Sequence, residues 1–268
     1  MNTLRTARAL ELETLQLFVS NPQGWGWPRW RPDVKVFAKG VQDIGLSPVV
    51  VHSTYLINLA SPDAKHRERS VRMLAAELVA ASALGADLVV VHSGSHMGSG
   101  VEKGAEWLAE GIGRAREIAG DKAVDPIIEN TVGAGTQLCS TFDALAGIAE
   151  KAGVRVCVDT AHAYVSGYDL STPDGAREVA AKLRATLGQR LALLHLNDAR
   201  NGLGSHRDGH ERVGEGRISQ GAWVELLAAL PGVPVVMETP HATPAVDAEQ
   251  VRIVKKLAGG LPLSPLGV

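Results

Sequence analysis

Six short apolar runs in this chain each end in a side chain that can bind a metal, at the point where a strand should give way to a loop. They read VVVHS, ending in His52; LVVVHSGSH, with His92; PIIEN, with Glu129; VCVDTAH, with Asp159 and His162; LALLHLND, with His195; and VVMET, with Glu238. A β-branched apolar run bounded by turn residues is a buried strand. In a barrel of parallel strands, every C-terminal strand end opens onto one mouth. His, Asp and Glu arriving there from separate strands build a multi-metal site. One polar residue capping a strand is commonplace, but six strands in succession are not.

Helix-like stretches separate these runs with few interruptions. TLQLFVS (residues 14–20) precedes a helical stretch near 32–45, and an amphipathic segment over about 62–85 sets Val71, Leu74, Leu78 and Ala81 on one side. Further helices are expected near 101–119, 141–153, 174–187, 219–230 and 247–257. Gly45, Gly85, Gly153 and Gly188 fall where helices should stop. The alternation implies parallel strands joined by right-handed crossovers. At 268 residues and 45% hydrophobic composition, the chain matches one α/β barrel of ~250 residues, a single domain over 1–268. The expected fold is a TIM-type (β/α)8 barrel lacking, or truncated at, its first strand. Only seven strands are found, and the eighth should precede the helix-like start TLRTARALELE. A loop hides a strand, the barrel is open on one side, or the sequence starts late.

Composition narrows the setting. A net charge of −2 means that nucleic-acid contacts must come from a local patch. Cys139 and Cys157 are the only cysteines and neither sits in a CxxC, which fits a reducing cytoplasm and no disulfide scaffold. The charged start is no signal peptide, and no apolar run approaches the ~18 residues of a membrane span. A soluble, cytoplasmic protein is expected.

A second cluster lies in HLNDARNGLGSHRDGHERVGEG. There Asp208 and His210 form a D-x-H pair whose side chains point the same way if the stretch is extended. With His162 they make a His/His/Asp shell beside the strand-end residues. The nine candidates, five His, two Asp and two Glu, are too many for one zinc with its roughly four ligands. They suit three ions, with Glu129 bridging two.

At this point the chain resembles a known family. HSTYLINLASP (52–62), HSGSH (92–96), PIIENTVGAG (126–135), VDTAHAYVSGYDL (158–170), HLNDA (195–199), RDGHERVGEG (207–216) and METP (237–240) are similar to the motifs of endonuclease IV. These are the zinc-dependent apurinic/apyrimidinic endonucleases of base-excision repair. The similarity runs from about Leu15 to Leu257 and implies a (β/α)8 barrel with three zinc ions in its mouth. It assigns His52, His92 and Glu129 to the first ion; Glu129, Asp159, His195 and Glu238 to the second; and His162, Asp208 and His210 to the third. Mn²⁺ is an alternative at one position. The implied reaction is attack by a zinc-held hydroxide on the phosphorus 5′ to an abasic sugar, leaving a 3′-hydroxyl and a 5′-deoxyribose phosphate.

The implied partner is double-stranded DNA with abasic sites, with no obligate protein partner. Arg200, Arg207, Arg212 and Arg217 crowd one loop, and WGWPRWR (25–31) fills another. Arginines that contact phosphate and apolar wedges are the usual means of bending a duplex. Tyr55 and Leu56 resemble the family's intercalating pair, whereas Trp27 and Trp30 read equally as packing between loops. Two departures stand out. Gln23 in NPQGW occupies a position where the family has Arg, and Gln supplies neither the charge nor the stacking of a guanidinium. The family's opening GAHVS-type strand is missing, which would expose the TLQLFVS edge. Two other functions remain open. A sugar isomerase or epimerase on the same barrel would use Glu129, Asp159, His195 and Glu238 for one or two metals. A DNA-damage binder would hold the same ligands without turnover.

Overall fold

The expected apolar runs become strands because nothing in them needs water. Val49, Val50 and Val51 are wholly buried, as are Val89, Val90 and Val91 and the pair Ile127 and Ile128. The computed structural model describes residues 2–29 and 33–260. Helix α1 (Asn2–Ala9) comes first. It is followed by β1 (Leu15–Leu17), α2 (Val34–Ile44), β2 (Val49–His52), α3 (Ala64–Ala83), β3 (Leu88–His92), α4 (Val101–Ala119) and β4 (Asp125–Glu129). Then come α5 (Phe142–Ala152), β5 (Arg155–Asp159), α6 (Thr160–Val165), α7 (Pro173–Thr186) and β6 (Leu191–His195). A two-stranded ribbon of β7 (Asp198–Ala199) and β8 (His210–Glu211) leads to α8 (Gln220–Ala229), β9 (Val235–Val236) and α9 (Pro244–Ala258).

The parallel strands run β1-β2-β3-β4-β5-β6-β9, each hydrogen-bonded to the next of the sheet in chain order, as a succession of crossovers of one hand produces. The helices cover them outside. In α3, Val71, Leu74, Leu78 and Ala81 all turn inward to the core, the face that the periodicity picks out. Gly45 and Gly153 cap α2 and α5 in the left-handed region (φ +71 and +62), where a Cβ would be strained. Among the described residues, no helix is long and apolar enough to cross a membrane.

The sheet does not close by backbone pairing: among the described residues, no ladder joins β1 to β9. The expected seam is present, but side chains span it and its edge is half-buried rather than exposed. The Thr14 hydroxyl donates to the Val235 carbonyl at 2.7 Å, and the Gln16 amide reaches Glu238 at 2.6 Å. Helix α9 adds a third tie, with Lys255 Nζ donating to the Glu11 carbonyl at 2.7 Å.

Three expectations change. The residues after Asp159 form α6 rather than a loop, with Asp159 as its N-cap accepting from the His162 N–H at 2.8 Å. The last helix starts at Pro244, capped by Thr243, not near Asp247. Strand β9 ends at Val236, so Glu238 lies two residues past it. Trp30 and Pro32 lie outside the described residues.

Candidate metal centre

All nine candidate side chains meet at the mouth. Glu129 ends β4 and is buried among imidazoles. Its Oε2 lies 3.4 Å from His52 Nε2 and 3.4 Å from His92 Nε2. Its Oε1 lies 3.0 Å from His195 Nδ1, which is also 3.2 Å from Glu238 Oε2. The two oxygens of one carboxylate thus face two separate donor sets. In the third set, His162 Nε2 lies 3.4 Å from Asp208 Oδ1 and 3.4 Å from His210 Nε2, and the latter is 3.8 Å from Asp208 Oδ1. Asp159 Oδ2 lies 3.4 Å from His210 Nε2, so Asp159 reaches the third set as well as the second.

The 3.4 Å separations in the first and third sets suit ions better than hydrogen bonds, whereas the 3.0 and 3.2 Å contacts of His195 Nδ1 are also hydrogen-bond distances. Donors ~2.1 Å from one tetrahedral zinc stand about 3.4 Å apart, whereas N–H···O bonds span about 2.7–3.2 Å. Three groups have ligand atoms mutually within 4.8 Å and could each hold a metal: His52/His92/Glu129, Asp159/His162/His210 and Glu129/Asp159/His195/Glu238. The second imidazole nitrogens are engaged as metal-bound histidines require. His52 Nδ1 meets the Ser53 carbonyl at 2.8 Å, His162 Nδ1 the Asn130 carbonyl at 3.0 Å, and His195 Nε2 the Gln16 side-chain oxygen at 2.8 Å.

The electrostatics are those of a cation site. Burial alone would raise the Glu129 carboxyl, but His195, His52 and His92 hold it well below the usual range. Burial pulls the His162 imidazole down, yet Asp159, Asp208 and Glu129 outweigh it and raise its pKa to about 10. The hydrogen bond from His162 in turn holds Asp208 at about 2. Carboxylates that hold protons on imidazoles so firmly favour any cation placed among them, and metal binding would displace those protons.

Several residues that sequence patterns did not single out position this set. Asn130 and Asn197 each follow or nearly follow a ligand candidate. Asn130 Oδ1 accepts from the Asp159 N–H at 2.6 Å; Asn197 Nδ2 donates to Asp159 Oδ2 at 2.5 Å, and its Oδ1 accepts from the Glu238 N–H at 2.7 Å. Asp198 sits in the same HLND motif but joins none of the three ligand groups. It accepts from the N–H groups of Ala199, Gly214, Gly216 and Ile218, between 2.8 and 3.0 Å. A Cβ on Gly216 would strike that carboxylate and stand 2.7 Å from the Ala199 carbonyl. The β7–β8 ribbon, paired Ala199 to His210, returns His210 to the mouth.

The candidate DNA-facing residues lie beside the candidate metal ligands. The Tyr55 ring is 47% exposed and stacks over His92 with centroids 5.5 Å apart. Leu56 is half-buried and Gln23 exposed. Their loops form one platform: the Tyr55 N–H donates to the Pro22 carbonyl at 2.9 Å, and the Thr54 hydroxyl does so at 2.9 Å. Beneath it, buried Glu77 of α3 accepts from the Ser20 hydroxyl and, at 3.3 Å, from the Thr54 N–H. Burial pushes Glu77 up to about 7 against those hydrogen bonds. Of the four loop arginines, Arg200 pairs with Glu211 and Arg212 with Glu215, while Arg207 and Arg217 are exposed. Trp25 is absorbed by packing, its ring against His66 and under Arg69 at 4.3 Å, whereas Trp27 is 56% exposed.

Known proteins resolve the family. Residues 4–257 match the family described as xylose isomerase-like TIM barrel. A protein named probable endonuclease 4 from Methanoculleus marisnigri is 39% identical over 262 residues, covering 94% of this chain and 93% of the relative. The chain belongs to the endonuclease IV family. Another probable endonuclease 4, from Natronomonas pharaonis, is 37% identical over 84% of this chain and 82% of its own length. The crystal structure of endonuclease IV from Thermus thermophilus superposes with a TM-score of 0.86 at 32% identity, covering 96% of this chain and 93% of that one. A D-tagatose 3-epimerase-like protein shares the fold (TM-score 0.69) at 21% identity. The barrel is therefore common to both chemistries, and the endonuclease IV family is distinguished by the closer match in sequence and in structure.

Proposed function

We propose that this chain is a zinc-dependent DNA-repair endonuclease that hydrolyses the phosphodiester 5′ to an abasic site, leaving a 3′-hydroxyl and a 5′-deoxyribose phosphate. The observation that carries this reading is Glu129, whose two oxygens face the His52/His92 and His195/Glu238 sets. The neighbouring His162/Asp208/His210 set gives room for a third ion, with Mn²⁺ an alternative at one position. When bound, zinc supplies Lewis acidity toward a phosphoryl oxygen and acidifies water to near neutral pH. The chain's own residues do the rest. Glu129 holds two donor sets in one frame, and the Ser53, Asn130 and Gln16 acceptors fix the rings of His52, His162 and His195.

On this reading Tyr55 and Leu56 enter the duplex beside the abasic sugar, Gln23 fills the neighbouring stack and exposed Arg207 meets phosphate. The substrate is duplex DNA in the cytoplasm, no protein partner is required, and residues 1–268 act as one barrel domain. A sugar epimerase would leave the third set without a task. Incision of a duplex carrying one abasic site tests the proposal. Activity should vanish with a chelator and return with zinc, with three zinc per chain in the active protein. An inactive zinc-loaded chain, or one or two manganese ions with turnover of a small polyol, would overturn it.

A further inference from the structure

Strand β1 contributes none of the nine candidate ligands, yet its Gln16 is in contact with two of them. Gln16 Nε2 donates to Glu238 Oε1 at 2.6 Å, and Gln16 Oε1 faces His195 Nε2 at 2.8 Å. The orientation of the amide follows from its partners. A carboxylate only accepts, so the NH₂ must face Glu238 and the oxygen must face His195. His195 Nε2 must then carry the ring proton.

With Nε2 committed to the Gln16 oxygen, Nδ1 is the nitrogen of His195 left for a cation, and it faces Glu129 Oε1 at 3.0 Å and Glu238 Oε2 at 3.2 Å. Two carboxylate oxygens around that nitrogen favour a cation there, a proton in the metal-free protein and a metal ion once it displaces the proton. We propose that Gln16 is a positioning residue for the second metal set: its amide selects the His195 tautomer and occupies Glu238 Oε1, leaving His195 Nδ1 and Glu238 Oε2 turned toward Glu129. The placement matters because β1 and β9 share no backbone ladder among the described residues. Glu238 lies beyond the end of β9, and Gln16 steadies it from across the seam. This inference rests on the metal-binding reading above.

The test is zinc content and affinity of the full chain in chelator-buffered zinc, for wild type, Gln16→Met and Thr14→Val. Gln16→Met keeps the volume and removes both hydrogen bonds. It should weaken one zinc per chain by ~10–100-fold, the usual cost of losing an outer-shell partner, and leave the others at wild-type affinity. Thr14→Val breaks another seam contact, the hydroxyl bond to the Val235 carbonyl, and should leave all zinc affinities unchanged. Equal weakening in both variants would assign Gln16 a role in seam packing alone, and unchanged affinity in Gln16→Met would overturn the proposal. Should Gln16→Met fail to fold, nitrogen NMR of the zinc-loaded wild type decides. A proton on Nε2 of His195 supports the proposal, and a proton on Nδ1 overturns it. A wild type that binds no zinc would instead sink the metal-binding reading itself.

Discussion

The middle of the sheet and its seam hold ligand candidates by different means. In the middle, β3, β4 and β5 each have five residues, with backbone ladders on both sides. His92 pairs directly with Glu129 and Asp159 with His195, so strand register itself sets their spacing. At the seam, β1 has three residues and β9 two, and no ladder joins them among the described residues. Glu238 is placed by the Gln16 amide and the Asn197 oxygen. A ladder distributes position over many hydrogen bonds, whereas a side chain concentrates it in one or two.

The sharpest way to break this contrast is Glu129→Gln. A neutral amide cannot serve two cationic sets, so incision should fall roughly three orders of magnitude or more. Glu238→Gln, held by side chains that can readjust, should lose less. Steady-state incision of an abasic duplex measures both. More than a tenth of wild-type activity in Glu129→Gln would defeat the bridging role.

Urea unfolding probes packing at the same two places. Ile128→Ala removes a wholly buried β4 side chain and should cost about 2–5 kcal/mol. Leu17→Ala in half-buried β1 should cost about 1 kcal/mol. Equal losses would mean that the seam packs as firmly as the middle.

The loops beside β1 add a dependence on pH. Glu77 has its folded pKa raised to about 7 from 4.5, so the native state binds the proton more tightly than the unfolded chain. Its contribution is full below about 4.5 and is lost as pH rises through about 7. Stability of wild type relative to Glu77→Gln should therefore fall across that window, by on the order of 3 kcal/mol. Chemical denaturation of the metal-free proteins at matched pH measures it, and a flat difference would show that Glu77 is ionised throughout.

The smallest effect belongs to the exposed rim. Gln23→Arg should tighten abasic duplex binding by ~0.5–1.5 kcal/mol more than intact duplex, as one charge-assisted contact does. An equal gain for both duplexes, in a fluorescence titration, would reduce the Arg to general phosphate attraction.

The strand-end residues were legible in the linear chain because one physical rule writes both parts of the signal. A strand buried on both faces must be continuously apolar, and its first polar residue marks the mouth. His52, His92, Glu129, Asp159 and His195 follow from that alone, and the ends of α2 and α5 follow from the glycines that cap them, whereas the start of α9 at Pro244 did not. Helix α6 did not, because its six residues are too few to show a period and its cap, Asp159, reads first as a strand end. The β7–β8 ribbon has two residues per strand, too short for any alternation to register. Gln16 was invisible for a stronger reason. Its partners lie 222 and 179 residues away, and only the curl of the sheet, which brings its first and last strands together, makes a glutamine in an ordinary strand the neighbour of two ligands.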